Sequence, residues 1–263
     1  MTTTPPTTPK PRRRWLQFSL RTLLVLMLVL GCGFGWLGRE VQRARTQQRT
    51  AAAISKVGGQ VSYRDVSNSR VRTAVTWLAK LLGQELPPDI IGAQFDYTEV
   101  SDADLAQFQG LTQVEFLYLG CPQITDDGVA NLKPLTNLQD LILQWSQVSD
   151  AGLENLRGLS RLQYLALGNT HVSDTGLVNI QGLTELQELD VKCTQVTGTG
   201  LAHLRGLTQL RWLYLANTQV NDAGLEHLRG LTQLRQLFLG STQVTNAGIA
   251  DLQKALPNCK IDR

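Results

Sequence analysis

The sequence predicts an α/β solenoid, and three observations carry that prediction. A 24-residue pattern recurs in tandem: Leu210–Gln233 reads LRWLYLANTQVNDAGLEHLRGLTQ, and its predecessor Leu186–Gln209 reads LQELDVKCTQVTGTGLAHLRGLTQ. Inside each unit the apolar spacing changes from Leu-x-x-Leu-x-Leu, which suits a strand, to Gly-Leu-x-x-Leu-x-x-Leu, which suits a short helix. Further copies start at Val114, Leu138, Leu162 and Leu234, and a fainter one at Ile90 keeps Phe95, Val100, Leu105 and Leu111 in frame, giving seven units over residues 90–258. Self-similarity at a fixed period marks a stacked array whose repeats bury their apolar faces only against one another.

Each unit reads the same way. The strand leucines point inward, and Val148, Val172, Val196, Val220 and Val244 extend the core across the following turn. Ser149-Asp150-Ala151-Gly152-Leu153 is a helix start, with a hydroxyl to cap free amides and an aspartate at the positive end of the dipole. Leu153, Leu156 and Leu159 then face inward at helical spacing. Thr170, Thr194, Thr218 and Thr242 align in the ninth place, with Pro122 and Ser146 there in earlier units, and their hydroxyls are expected to satisfy loop backbone groups. Parallel strands should line the concave face and short helices the convex one.

The pattern LxxLxLxxTxVxDxGLxxLxGLTx resembles the leucine-rich repeat family, in the subtype with Thr or Cys in the ninth place and a Gly-Leu helix start. With the N-terminal block RRRWLQFSLRTLLVLMLVL and the C-terminal LPNCKI, the chain resembles the single-pass leucine-rich repeat proteins of planctomycete bacteria. The resemblance implies a horseshoe of about seven repeats closed by a C-terminal cap over residues 259–263, where Cys259 would be a small buried residue. It implies little about function, since such repeats serve many unrelated recognition tasks.

Ahead of the repeats, residues 1–15 form a Thr/Pro-rich basic tail expected to be disordered. Residues 16–37 are expected to form a transmembrane helix or signal anchor: Arg21 alone interrupts the apolar run, Trp15 and Trp36 suit interfaces, and a crossing needs about 20 residues. A lipobox reading of Val29-Leu30-Gly31-Cys32 would instead lipidate Cys32, but the chain stays apolar beyond it. A twin-arginine reading of Arg12-Arg13-Arg14 lacks the cofactor motif that would call for folded export. Lys and Arg counts nearly balance across the span; the short basic tail favours an inside N-terminus and repeats on the extracytoplasmic side, while the unpaired cysteines point the other way. Residues 38–89 should be a helical linker and N-terminal cap. There Val41, Ala44, Gln48, Ala51 and Ile54 recur at helical spacing, Gln60–Arg64 suits a short strand, and the amphipathic Val71–Leu82 is expected to cover the raw end of the solenoid.

The net charge of +3 is concentrated between Lys10 and Arg49, beside the apolar span, which argues for membrane topology and against nucleic acid. Cys121 and Cys193 share a slot three repeats apart, about 14 Å at the usual strand spacing, too far for a disulfide, which needs about 7 Å. No zinc spacing, phosphate loop or nucleophile elbow is present, so neither cofactor nor catalysis is expected. His203 and His227 fall on the convex side with too few neighbours for a metal, and Arg157, Arg205 and Arg229 read as a solvated row.

The outward strand positions carry the functional signal. They hold Phe116, Tyr118, Asp140, Tyr164, Glu188, Asp190, Trp212, Tyr214 and Phe238, with Trp145 just past its strand. Aromatic side chains on an exposed face mark interaction surfaces, so a protein partner is expected there. Aromatic rows also stack on sugars, which keeps a glycan or envelope polymer open, and a purely structural envelope role is the other alternative. The acids also admit a reading as a carboxylate pair for sugar hydrolysis, which needs carboxyls about 5–10 Å apart. A strand ladder generates that spacing automatically.

Overall fold

A computed structural model describes the backbone of residues 20–64, 88–95 and 100–263, with side chains from residue 38 onward. The expected tail over 1–15 and the expected capping helix Val71–Leu82 lie outside the described residues, as do the side chains of the expected span 16–37, Cys32 included. Helix α1 runs Leu20–Lys56. Among the described residues no helix is long and apolar enough to cross a membrane. The chain divides after Gln42 into two compact units, the first containing the start of α1 and the second everything from Arg43.

The second unit is built on one sheet of strands β1 (Gln60–Tyr63), β2 (Ile90–Phe95), β3 (Phe116–Leu119), β4 (Asp140–Ile142), β5 (Tyr164–Ala166), β6 (Glu188–Asp190), β7 (Trp212–Tyr214), β8 (Gln236–Phe238) and β9 (Lys260–Asp262), in sequence order. β1 pairs antiparallel with β2, and every later pair is parallel. The register advances by one sequence period per strand: Gly92, Phe116, Asp140, Tyr164, Glu188, Trp212, Gln236 and Lys260 form one row. Because strand side chains alternate faces, Leu117, Leu141, Leu165, Leu189, Leu213 and Leu237 form the row behind it and are fully buried. They meet Leu153, Leu156, Leu177, Leu204, Leu225 and Leu228 from the helical layer in one continuous core.

The strands are short because the chain turns sharply after them. Trp145, Asn169, Cys193, Asn217 and Ser241, spaced by one repeat, all take left-handed backbone conformations with φ between 54° and 63°. The ninth-place hydroxyl then closes the turn as expected. Ser146, Thr170, Thr194 and Thr218 each donate at 2.6 Å to the carbonyl three residues earlier, inside the core.

The helix starts correct the reading of the aspartates. Each Asp was expected to serve the dipole of its own helix, but its carboxylate also reaches forward to the next repeat. Asp150 accepts from the Ser173 backbone N–H at 2.7 Å and from the Ser173 hydroxyl at 2.6 Å, and Thr175 Oγ1 donates to it as well. Asp102 to Thr125, Asp126 to Ser149, Asp174 to Thr197 and Asp222 to Thr245 repeat the arrangement. Burial alone would raise the Asp150 and Asp174 carboxyls, yet these hydrogen bonds outweigh it and hold both below the usual range. The glycine three residues past each receiving Ser or Thr follows from the same clamp: a Cβ on Gly176 would overlap Asp150 Oδ1, as one on Gly128, Gly152, Gly200 or Gly248 would overlap the matching aspartate. One link is missing. Gly198 stands in the Asp slot, a 3-10 helix (Gly200–Leu204) replaces the α-turn, and Asn221 caps its own helix, accepting from the Gly224 amide at 3.1 Å. There the backbones of Gly198 and Gly224 pack directly against each other.

The convex row is also engaged between repeats rather than simply solvated. Arg157 donates to Asn179, Arg205 Nη2 lies 2.6 Å from the His227 ring, and Arg229 pairs with Asp251 and Glu226. Gln181 meets His203 in the same way. These histidines are hydrogen-bond partners of the neighbouring turn, and no metal-binding cluster occurs among the described residues.

Both ends of the solenoid are covered. Residues 43–56 of α1 lie on the first repeat through Ala44, Gln47, Thr50 and Ile54, all buried. Gln47 donates to Asp89 at 2.9 Å, Thr50 to the Gln107 carbonyl at 3.2 Å, and Arg43 to Gln113 at 2.9 Å. Gln47 and Thr50 thus occupy the buried stripe, and Gln48, expected in it, is exposed. At the other end β9 closes the sheet, and Gln253 bonds the carbonyls of Leu256 and Cys259. Cys259 is buried there, its thiol pushed up to about 11 by burial with Asp262 adding.

The clamp is testable by a double-mutant cycle. D150A removes an acceptor shared by three donors and is expected to cost about 1–3 kcal/mol of stability in urea denaturation. G176A should be comparably costly alone but cheaper in the D150A background, where the obstructing carboxylate is gone; strict additivity would contradict the clamp. Since the folded Asp150 and Asp174 values are depressed, their stabilisation is complete above the unfolded value of about 3.9 and fades as pH falls through the lower folded values.

Candidate functional site

The outer face of the sheet holds two rows. The first is the Gly92-to-Lys260 row given above. The second, two residues on, runs Gln94, Tyr118, Ile142, Ala166, Asp190, Tyr214, Phe238 and Asp262. Neighbouring rungs of a sheet stand about 4.8 Å apart. The in-register stacking therefore brings Phe116, Tyr118, Asp140, Tyr164, Glu188, Trp212, Tyr214 and Phe238 onto one half-buried surface. Phe116 and Tyr118 touch with ring centroids 5.4 Å apart, and Tyr214 stacks on Phe238 at 4.5 Å and 5°.

The polar groups sort into two kinds. Asp190 is nearly sealed, 4% exposed, and its partners are internal: Gln144 donates at 2.7 Å from two repeats earlier, and the Lys192 backbone N–H and ammonium at 2.9 and 3.0 Å. It belongs to the scaffold of the face. Asp140 and Glu188 stay accessible, and among the described residues neither pairs with a Lys or Arg. Burial raises the Asp140 carboxyl, and burial raises Glu188 too, reinforced by Asp190 and Asp140 and opposed by a hydrogen bond from Tyr214. The Tyr164 and Tyr214 phenols are pushed up to about 12, first by burial and then by Glu188. Both tyrosines are neutral hydrogen-bond donors at physiological pH.

Trp145 stands apart from both rows. It sits at the left-handed turn after β4 and is 61% exposed, the largest exposed side chain among the described residues. A tryptophan in that conformation is strained by roughly 1–2 kcal/mol, a cost the asparagines in the same slot largely avoid. Lys192 and Gln144, which fix Asp190, were not among the expected site residues. Strand alternation puts Lys192 on the face of Asp190 and offered a signal, whereas nothing local in the sequence links Gln144 to a residue 46 positions away.

Comparison with known proteins places the repeats. A family model described as "Leucine rich repeat" matches residues 184–244, and a second of that description matches residues 135–156. The matched stretches are leucine-rich repeats. Among solved structures, an internalin (inlF) from Listeria monocytogenes is similar at 26% identity and a TM-score of 0.51, covering 62% of this chain and 51% of its own. An internalin C2 (inlC2) from the same organism is similar at 25% identity and a TM-score of 0.50, covering 70% and 79%. The chain spans about half the length of the first of these internalins. No curated protein matches the chain.

The outer face of the sheet is expected to make stability depend on pH. A raised folded value means that ionised Glu188 costs the folded state stability at neutral pH, a cost that disappears once the group is protonated. E188Q should therefore melt higher than the wild type at pH 7. The gap should close as pH falls through the raised Glu188 value, and a gap that widens on acidification would contradict the assignment.

Proposed function

We propose that this chain is a membrane-anchored, non-catalytic leucine-rich repeat protein that binds a protein partner through the outer face of its sheet. The observation that carries this reading is the row Tyr164, Glu188, Trp212, with Tyr214 and Phe238 beside it: large aromatic groups held in register on rigid strands and half open to solvent. A preorganised surface loses little entropy on association, and Trp and Tyr carry much of the energy of protein interfaces. The structural likeness to the internalins agrees with a recognition module. Tyr214 and Phe238 already spend one ring face on each other, which favours a protein over a sugar ring as the group received.

The anchor is the apolar run 16–37, uncharged after Arg21, and the basic residues before it favour repeats on the extracytoplasmic side. Such a protein would resemble single-pass envelope proteins that hold a binding domain at the membrane surface.

Two experiments separate these parts. The W212A/Y214A double variant should lose at least about tenfold in partner capture from a cell-envelope extract while keeping its circular dichroism spectrum. Capture equal to the wild type would remove the face from the interface. Deleting residues 1–38 should move the protein from the membrane to the soluble fraction, and continued sedimentation with membranes would rule out the anchor.

A further inference from the structure

The face carries charge opposite in sign to the chain. The protein is +3 overall, and the two lysines on or just beyond its rows are paired: Lys192 with Asp190 at 3.0 Å and Lys260 with Asp262 at 2.9 Å. Among the described residues no Lys or Arg pairs with Asp140 or Glu188, two carboxylates on a single row, with the Tyr164 ring between them and Trp212 on the far side of Glu188. Two strand steps separate them, about 10 Å.

That separation selects a backbone conformation in the partner. Same-side residues of a β-strand recur at about 7 Å, and successive turns of an α-helix at about 5.4 Å. A polyproline-II segment repeats every three residues, at about 9 Å, with its side chains aligned again on one side. Segments of this kind dock on aromatic-lined surfaces because their backbone is extended before binding.

We infer, building on the protein-binding reading above, that the partner presents a basic polyproline-II segment, with arginine or lysine residues three apart seated over Asp140 and Glu188 and one of the two residues between them against Tyr164. Trp212 and Tyr164 supply ring faces for the cations as well as for the apolar residue.

The probe is a fluorescein-labelled peptide, Arg-Pro-Pro-Arg-Pro-Pro, titrated by anisotropy against the full chain. Binding should weaken by about tenfold in the D140N/E188Q double variant, as loss of two exposed charge contacts implies. It should also weaken between about 0.05 and 0.5 M salt. Neither substitution removes a core contact, and a circular dichroism spectrum shows that the variant is folded. Peptides with the arginines two or seven residues apart, or with glutamates in their place, should bind about fivefold more weakly or worse. Absence of wild-type binding, equal binding by the glutamate peptide or by either altered spacing, or indifference to D140N/E188Q would each overturn the inference. The broader reading is judged separately, by loss of protein capture in W212A/Y214A, so a basic peptide that fails while capture succeeds rejects only the partner chemistry.

Discussion

Five repeats of this protein have their helix start completed by an aspartate of the repeat before, and the one headed by Asn221 caps itself. The amide and hydroxyl at the head of Ser173's helix are satisfied by Asp150, one repeat earlier, and the same hand-off runs from Asp102, Asp126, Asp174 and Asp222. A charged acceptor that gathers two or three donors is among the stronger polar links available to a folded chain. It fixes the stacking distance on the helical side as the ladder fixes it on the strand side. The glycine in each clamped helix is a by-product, kept small because a neighbour's carboxylate occupies the space its side chain would need.

With both edges pinned, the outer face inherits its geometry from the scaffold. Strand register, not local side-chain contacts, decides that Tyr164 stands between Asp140 and Glu188. Beyond Phe95 and Phe108 at its first repeat the hydrophobic core is aliphatic, so the outer rows can vary without disturbing it. Asp190 shows the limit of that freedom, since an outward position has been closed over by Gln144 and Lys192 and turned into framework.

Much of this architecture was legible in the sequence because its organising distance is short and repeated. A period of 24 residues states the register, and alternation within each strand states the face. Reading failed where partners are remote or where polar residues take core roles. The aspartates fit a local helix-start pattern so well that their true acceptor role, 23 residues ahead, left no separate trace. Gln47 and Thr50 do not look like core residues, yet they line the buried stripe of α1. The left-handed turn was hinted at by Asn169 and Asn217, the residue type that, glycine aside, tolerates it best, and hidden at Trp145 and Cys193.

The glycine at position 198 gives the array an internal boundary. A stack of repeats behaves as a line of nearest-neighbour couplings, and its cooperativity is set by the thinnest of them. Between β6 and β7 the carboxylate clamp is absent, and the coupling rests on ladder hydrogen bonds, the apolar core, the contact of Gly198 with Gly224 and the exposed Arg205–His227 hydrogen bond. Glu188 lies on one side of this seam and Trp212 on the other. Anything bound across that row therefore bridges two blocks of the molecule, and its binding free energy enters the cooperativity of the fold itself.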